Sequence, residues 1–220
     1  MKQIPNQPRR TWRAAAALAA AMPILASCAL LGGSSDPNLY ELSPKNTFPA
    51  NLPGVNAQLL VQAPAASAGL TSARIAIKPK PTRLEYYTKS AWTDVAPNVV
   101  QTLILESFDN AGKIKGVERE GSGLRVDYLL KTDLREFQAE LYEGKPRIVR
   151  VRIHAKLVRW STREIVASHQ IERRSVLKDD KIDAIVQGFD DALGKVLKRL
   201  IIWTVEEMNT NIRSQPVTRE

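Results

Sequence analysis

The chain has 220 residues, with 32 Lys and Arg against 23 Asp and Glu, two His and one Cys, for a formal charge of +9. That excess points first to an acidic partner, nucleic acid or a membrane surface. A single Cys excludes an internal disulfide and a Cys-rich zinc site. At 44% apolar residues the chain is globular rather than disordered, and its length admits one domain with a real core, since ~150 residues bury roughly 70% of their unfolded surface.

The charge is unevenly spread. Lys2, Arg9, Arg10 and Arg13 precede a stretch from residue 14 to residue 35 that carries no charge. A basic start, an Ala-rich apolar run over 14–26 and small residues before a cut site make a secretory signal peptide over 1–27. Nine less four leaves +5 on the other residues, so much of the basic excess belongs to export. The run ends Leu25-Ala26-Ser27-Cys28, which resembles the lipobox of bacterial lipoproteins. There the Cys28 thiol would take a diacylglyceryl group before cleavage, and the exposed amine a further acyl chain such as palmitate. The competing reading is an uncleaved span from residue 14 to about residue 31, which Pro23 and Ser27 interrupt. Two or three acyl chains anchor stably, at about 0.8 kcal/mol per buried CH₂. Ala29, where an Asp would imply inner-membrane retention in enteric lipoproteins, implies the outer membrane.

Residues 28–57 read as a lipidated flexible tether: Gly32-Gly33-Ser34-Ser35, then Pro37, Pro44, Pro49 and Pro53, with Tyr40 and Leu42 as isolated apolar residues able to dock. The folded domain is expected over 58–208. Leu59–Val61, Arg74–Ile77 and Leu84–Tyr87 are short strand candidates. Asp94 can cap a helix that tolerates Pro97 in its first turn, carries Val95, Val99 and Leu103 on one face, and stops at Gly112.

From Leu124 to Leu134 apolar and polar residues alternate, and the apolar phase then flips to Phe137, Ala139 and Leu141, which predicts a β-bulge between Leu134 and Phe137. After a turn at Glu143-Gly144-Lys145-Pro146, Val149, Val151, Ile153, Ala155 and Leu157 face inward, with Arg150, Arg152, His154 and Lys156 outward. A second turn at Ser161–Arg163 leads to Ile165, Ala167, His169 and Ile171. These strands form an antiparallel meander. A long helix follows Asp179-Asp180, with Ile182, Ile185, Phe189, Leu193, Val196, Leu197, Leu200 and Ile201 at helical spacing. Residues 209–220 read as a mobile tail. The expected fold is a single α+β domain: a largely antiparallel sheet, the three-strand meander plus shorter N-terminal strands, packed against two main helices.

Chemistry-bearing residues are few. No G-x-S-x-G, H-E-x-x-H or G-x-x-x-x-G-K-[ST] occurs. His154 lies on a polar phase and His169 on an apolar one, as a solvated and a core histidine would. Asp179/Asp180 and Asp190/Asp191 are adjacent on a helix and cannot face one another as an acid/base dyad. Catalysis, a metal and a cofactor are not expected. Arg150, Arg152 and Lys156 on one strand face form a candidate surface for an acidic partner or anionic lipid, against the plainer reading of a solvated face balanced by Asp127, Asp133 and nearby glutamates. Tyr86, Tyr87 and Trp92 form an aromatic group before the first helix, structural first and an interface anchor second.

The order of strings is informative. Tyr86-Tyr87-Thr88-Lys89-Ser90-Ala91-Trp92-Thr93-Asp94 before Val95-Ala96-Pro97 resembles the ABC-type transport auxiliary lipoprotein family. So do Tyr128-Leu129-Leu130-Lys131-Thr132-Asp133-Leu134-Arg135-Glu136-Phe137, Tyr40-x-Leu42 soon after Cys28, and Thr162-Arg163 before Ile165-Val166. The resemblance covers 28 to about 208. It implies a lipoprotein of an Mce-type system that moves phospholipids or other lipids across the Gram-negative envelope, anchored at the outer membrane and facing the periplasm. Its implied partner is an Mce-domain protein, not nucleic acid, and self-association is compatible with the sequence. The reading from another class is an envelope-assembly or structural lipoprotein.

Overall fold

The computed structural model describes residues 36–214 apart from Ser122 and Leu124. The expected signal peptide, Cys28, and residues 215–220 of the expected tail lie outside the described residues. From Pro37 onward the described residues belong to one compact unit.

The alternation in the second half of the chain builds the centre of the sheet. Tyr128–Glu140 (β7), Ile148–Arg159 (β8) and Ile165–Val176 (β9) form the expected antiparallel meander. Its register shifts between Leu134 and Glu136, where the phase flip predicted a bulge. With one edge of β7 taken by β8, its other edge is shared end to end by three parallel strands. Val55–Val61 (β2) lies at its start, Ala65–Ala66 (β3) in the middle and Arg74–Lys80 (β4) at its end. Arg83–Trp92 (β5) pairs antiparallel with β4; Asn38–Tyr40 (β1) and Ile114–Arg119 (β6) add parallel strands to β5 and β2. The nine described strands form one mixed sheet, so the fold is α+β as expected. The N-terminal strands join in parallel because each must cross over to reach β7 rather than turn back on its neighbour.

Two helices cover one face. The first, Ala96–Ala111 (α1), starts after an extended Val95 with Pro97 in its first turn, and Gly112 ends it at φ 58°, donating to Phe108 and Asp109. Asp94 sits one residue ahead of the cap and accepts the Val95 N–H at 2.6 Å. The second, Ile182–Arg213 (α2), runs 32 residues, roughly 48 Å. Ile185, Phe189, Leu193, Val196, Leu197, Leu200 and Ile201 are fully buried against Val149, Val151, Ile153, Ala155 and Leu157 of β8. At Gly188 the helix comes so close that a Cβ would strike Leu177 and sit 2.9 Å from Val149. Met208 is buried too, and the helix continues through 209–213, where the sequence predicts a mobile tail. That part of the tail is ordered because the apolar stripe runs past Ile201 to Trp203, Val205 and Met208.

The tether expected over 28–57 also needs correction from Pro37 onward. β1 pairs with Ser90–Trp92, and Leu42 and Leu52 are buried. Ser43 N–H donates to Asp190 at 2.7 Å, and Lys45 N–H to the Ser107 hydroxyl at 2.9 Å. Proline sets an extended path here, and the sparse apolar residues and backbone donors fasten that path to the helices.

Candidate functional site

Alternation gives β7–β9 two faces. The inner face and the buried residues of both helices form one core cluster; among the described residues no helix covers the outer face. Cross-strand register arranges its side chains in rows.

In one row Glu136, Arg152 and Glu172 lie opposite one another, and in the next Gln138, Arg150 and Arg174 do. Arg150 forks onto Glu140 at 2.7 and 3.0 Å and reaches Glu172 at 3.1 Å. Arg152 donates to Glu136 at 2.5 Å, Arg174 to Glu172 at 2.8 Å, and the Gln138 amide to Glu136 at 2.6 Å. Lys78 adds a contact to Glu136 at 3.5 Å. Burial alone would push the Glu136 carboxyl up, but Gln138, Lys78 and Arg152 outweigh it and hold it below the usual carboxylate range. Glu140 holds the Arg150 guanidinium above its ordinary value despite desolvation. Four cations meet three carboxylates in this network.

Arg150 and Arg152 thus share a face with Lys156, as expected, but both are spent on glutamates. The balancing acids are Glu136, Glu140 and Glu172. Asp127 instead accepts the Gln58 N–H, and Asp133 lies 3.9 Å from Arg135. Lys156 is outside this network, opposite Lys131. Strand register is what reveals Lys131, and it becomes readable only by counting positions back from the Glu143–Pro146 turn through the bulge.

The aromatic group divides. Trp92 is in the core, 5.1 Å edge-on from Phe189 and 5.8 Å from Phe137. Tyr86 and Tyr87 lie toward the other end of β5, six and five residues away, on the order of 15–20 Å along an extended strand. The Tyr86 hydroxyl donates to the Gly69 carbonyl at 3.1 Å, and Arg74 sits 3.8 Å over its ring. Both tyrosines pack against the core cluster. His169 stacks on Trp203 at 5.7 Å, and burial with Arg199 and Arg173 lowers its pKa against the pull of Glu207. Among the described residues there is no group of three His, Cys, Asp or Glu able to hold a metal, and no helix long and apolar enough to cross a membrane.

Comparison with known proteins gives a consistent result. An uncharacterised protein of Bradyrhizobium diazoefficiens is 30% identical over 167 residues, 76% of this chain; the chain spans only 44% of that protein's length. A crystal structure of a DUF330-family protein from Xanthomonas campestris superposes with a TM-score of 0.76 at 26% identity, covering 80% of this chain and 99% of the other. A second crystal structure, of an uncharacterized protein, has a TM-score of 0.54 at 13% identity over 80% of this chain and 99% of its own, a likeness of fold alone. The profile of the family described as the ABC-type transport auxiliary lipoprotein component matches residues 40–200. The match runs from β1 well into α2 and takes in most of the chain, which therefore belongs to the ABC-type transport auxiliary lipoprotein family.

Proposed function

We propose that this chain is the auxiliary lipoprotein of an Mce-type ABC system that moves phospholipids or other lipids across the Gram-negative envelope. It works by binding and positioning rather than by catalysis. The observation that carries the reading is the family match over residues 40–200 on a chain whose preceding segment reads Leu25-Ala26-Ser27-Cys28. Cys28 is the lipid attachment point, and Ala29 directs the anchored domain to the periplasmic side of the outer membrane. The outer sheet face supplies charged and apolar surface, which suits a docking component.

Two experiments test this. Cells fed a palmitate analogue should label the wild-type chain and not Cys28→Ser; undiminished labelling of the variant would remove the anchor. Affinity purification of the acylated chain in mild detergent should recover an Mce-domain protein. Its consistent absence, with cell-wall or outer-membrane assembly proteins in its place, would replace the transport role with an assembly role.

A further inference from the structure

Two rows along from the Arg–Glu network, past the row of Asp133, His154 and Gln170, the pattern of that face breaks. Lys131 and Lys156 stand directly opposite on β7 and β8, with Ser168 beside Lys156 on β9. Like charges directly opposite destabilise a sheet. Among the described residues neither lysine has an acidic partner within 4 Å, whereas Arg152, four positions along the same strand, has Glu136 and Glu172 on its two sides. The arginines of this face are thus paired with glutamates, while these two facing lysines are left without a carboxylate.

The row beyond is apolar. Leu129 and Val158 lie directly opposite and are buried in a small cluster with Leu60 and Val126, while Ile165, beside Val158 at the start of β9, is 57% exposed. Rows on one face are two residues apart, about 7 Å. Lys131, Lys156, Leu129, Val158 and Ile165 line one open groove of about 620 Å³. Arg163, held at φ 62° in the β8–β9 turn with its guanidinium 3.7 Å over Trp160, lines the same groove. Asp133 is the carboxylate in the lining, and Arg135 lies 3.9 Å from it.

We propose that this groove seats one anionic phospholipid, its headgroup phosphate between Lys131 and Lys156 with Arg163 at the rim, and its chain over Leu129, Val158 and Ile165. Ammonium groups satisfy phosphate oxygens as charge-assisted hydrogen bonds, and the apolar row gives the adjoining acyl segment a place that a free anion would not use. The site stands independently of the Mce assignment, since failure to find that partner would leave it in place.

The test uses the full acylated chain in a neutral detergent, titrated calorimetrically with dihexanoyl phosphatidylglycerol, dihexanoyl phosphatidylcholine and inorganic phosphate. Phosphatidylglycerol should bind saturably, and the other two about tenfold more weakly or worse. Lys131→Thr and Lys156→Thr should each weaken phosphatidylglycerol about tenfold, the worth of one charged hydrogen bond, while Lys145→Thr in the β7–β8 turn should not. Ile165→Ser should weaken the lipid but not phosphate. Because Thr suits a strand and removes the like-charge pair, both lysine variants should keep or raise the thermal midpoint without lipid, which separates lost binding from lost fold. Wild-type affinity in the double lysine variant, or equal affinity for phosphatidylcholine or phosphate, would overturn the proposal.

Discussion

The two faces of β7–β9 are built from alternate residues of the same strands, yet different forces hold them. On the inner face Val149, Val151, Ile153, Ala155 and Leu157 have no exposed surface, and α2 lies across them. Each Val, Ile or Leu among them contributes roughly 1.5–3 kcal/mol by leaving water. On the outer face the contacts are ion pairs with partners 6–30% exposed around Arg150 and Arg152. In pairs buried to this degree the attraction does little more than offset the cost of desolvation, so their net contribution is small even though breaking one is costly. Stability is therefore concentrated on the helix side, and the open side is free to carry charge for recognition.

The largest expected break in this contrast is Phe189→Ala. Phe189 packs 4.7 Å from Phe137 and edge-on to Trp92, and its loss should cost about 3–5 kcal/mol, read as a fall in the urea midpoint. A Gly188→Val change should cost about 1–3 kcal/mol by overpacking, because the new side chain meets Val149 and Leu177 where helix and sheet touch. A thermal midpoint equal to wild type would show that α2 can lift without loss. On the outer face, Arg150→Met should cost about 1–2 kcal/mol, since it leaves the nearly buried Glu140 carboxylate without its fork. Adding Glu140→Gln should recover much of that loss, and a double-mutant cycle measures the coupling.

Smaller effects come from pH, and they sharpen the contrast by separating the faces. Burial and neighbouring arginines lower the folded pKa of His169 below its ordinary value of about 6.5. Its contribution is fully present above pH 6.5 and fades as pH falls through the lowered value, because the unfolded chain takes the proton first. His169→Phe should flatten that slope in urea midpoints measured between pH 5 and 7. The lowered Glu136 carboxyl acts in a lower window: its contribution is present above about pH 4.5 and is lost as pH falls further. Glu136→Gln should remove that lower slope and leave the histidine slope intact.

How legible these features are in the sequence depends on whether their signal is local. The α2 stripe from Ile185 to Ile201, the alternation of β8 and the Gly112 stop are periodic or conformational signals within one segment, and each is found where it is expected. The bulge is legible for the same reason, as a change of phase between Leu134 and Phe137. By contrast β1, β3 and β6 carry little apolar pattern. Leu39 is 63% exposed, and Asn38–Tyr40 is a strand only because the backbone of Ser90–Trp92 lies beside it. Docking of Ser43 on Asp190 spans 147 residues, beyond any local signal. The outer face is intermediate: the sequence marks Arg150, Arg152 and Lys156 as cations of one phase, but only register separates two spent arginines from a lysine facing another lysine.

The bulge in β7 has one more consequence. It works as a change of reading frame within the strand: Leu134 and Phe137 both point into the core although three positions separate them. Arg135 is the extra residue, left without a partner between the Leu134–Ile153 and Glu136–Arg152 pairs. Deleting it would bring Leu134 and Phe137 two positions apart, as a regular strand needs, and each face would keep its side chains. Deleting Gln138 instead would turn Ala139 outward and Glu140 inward, so the bulge is the place where this central strand tolerates a lost codon.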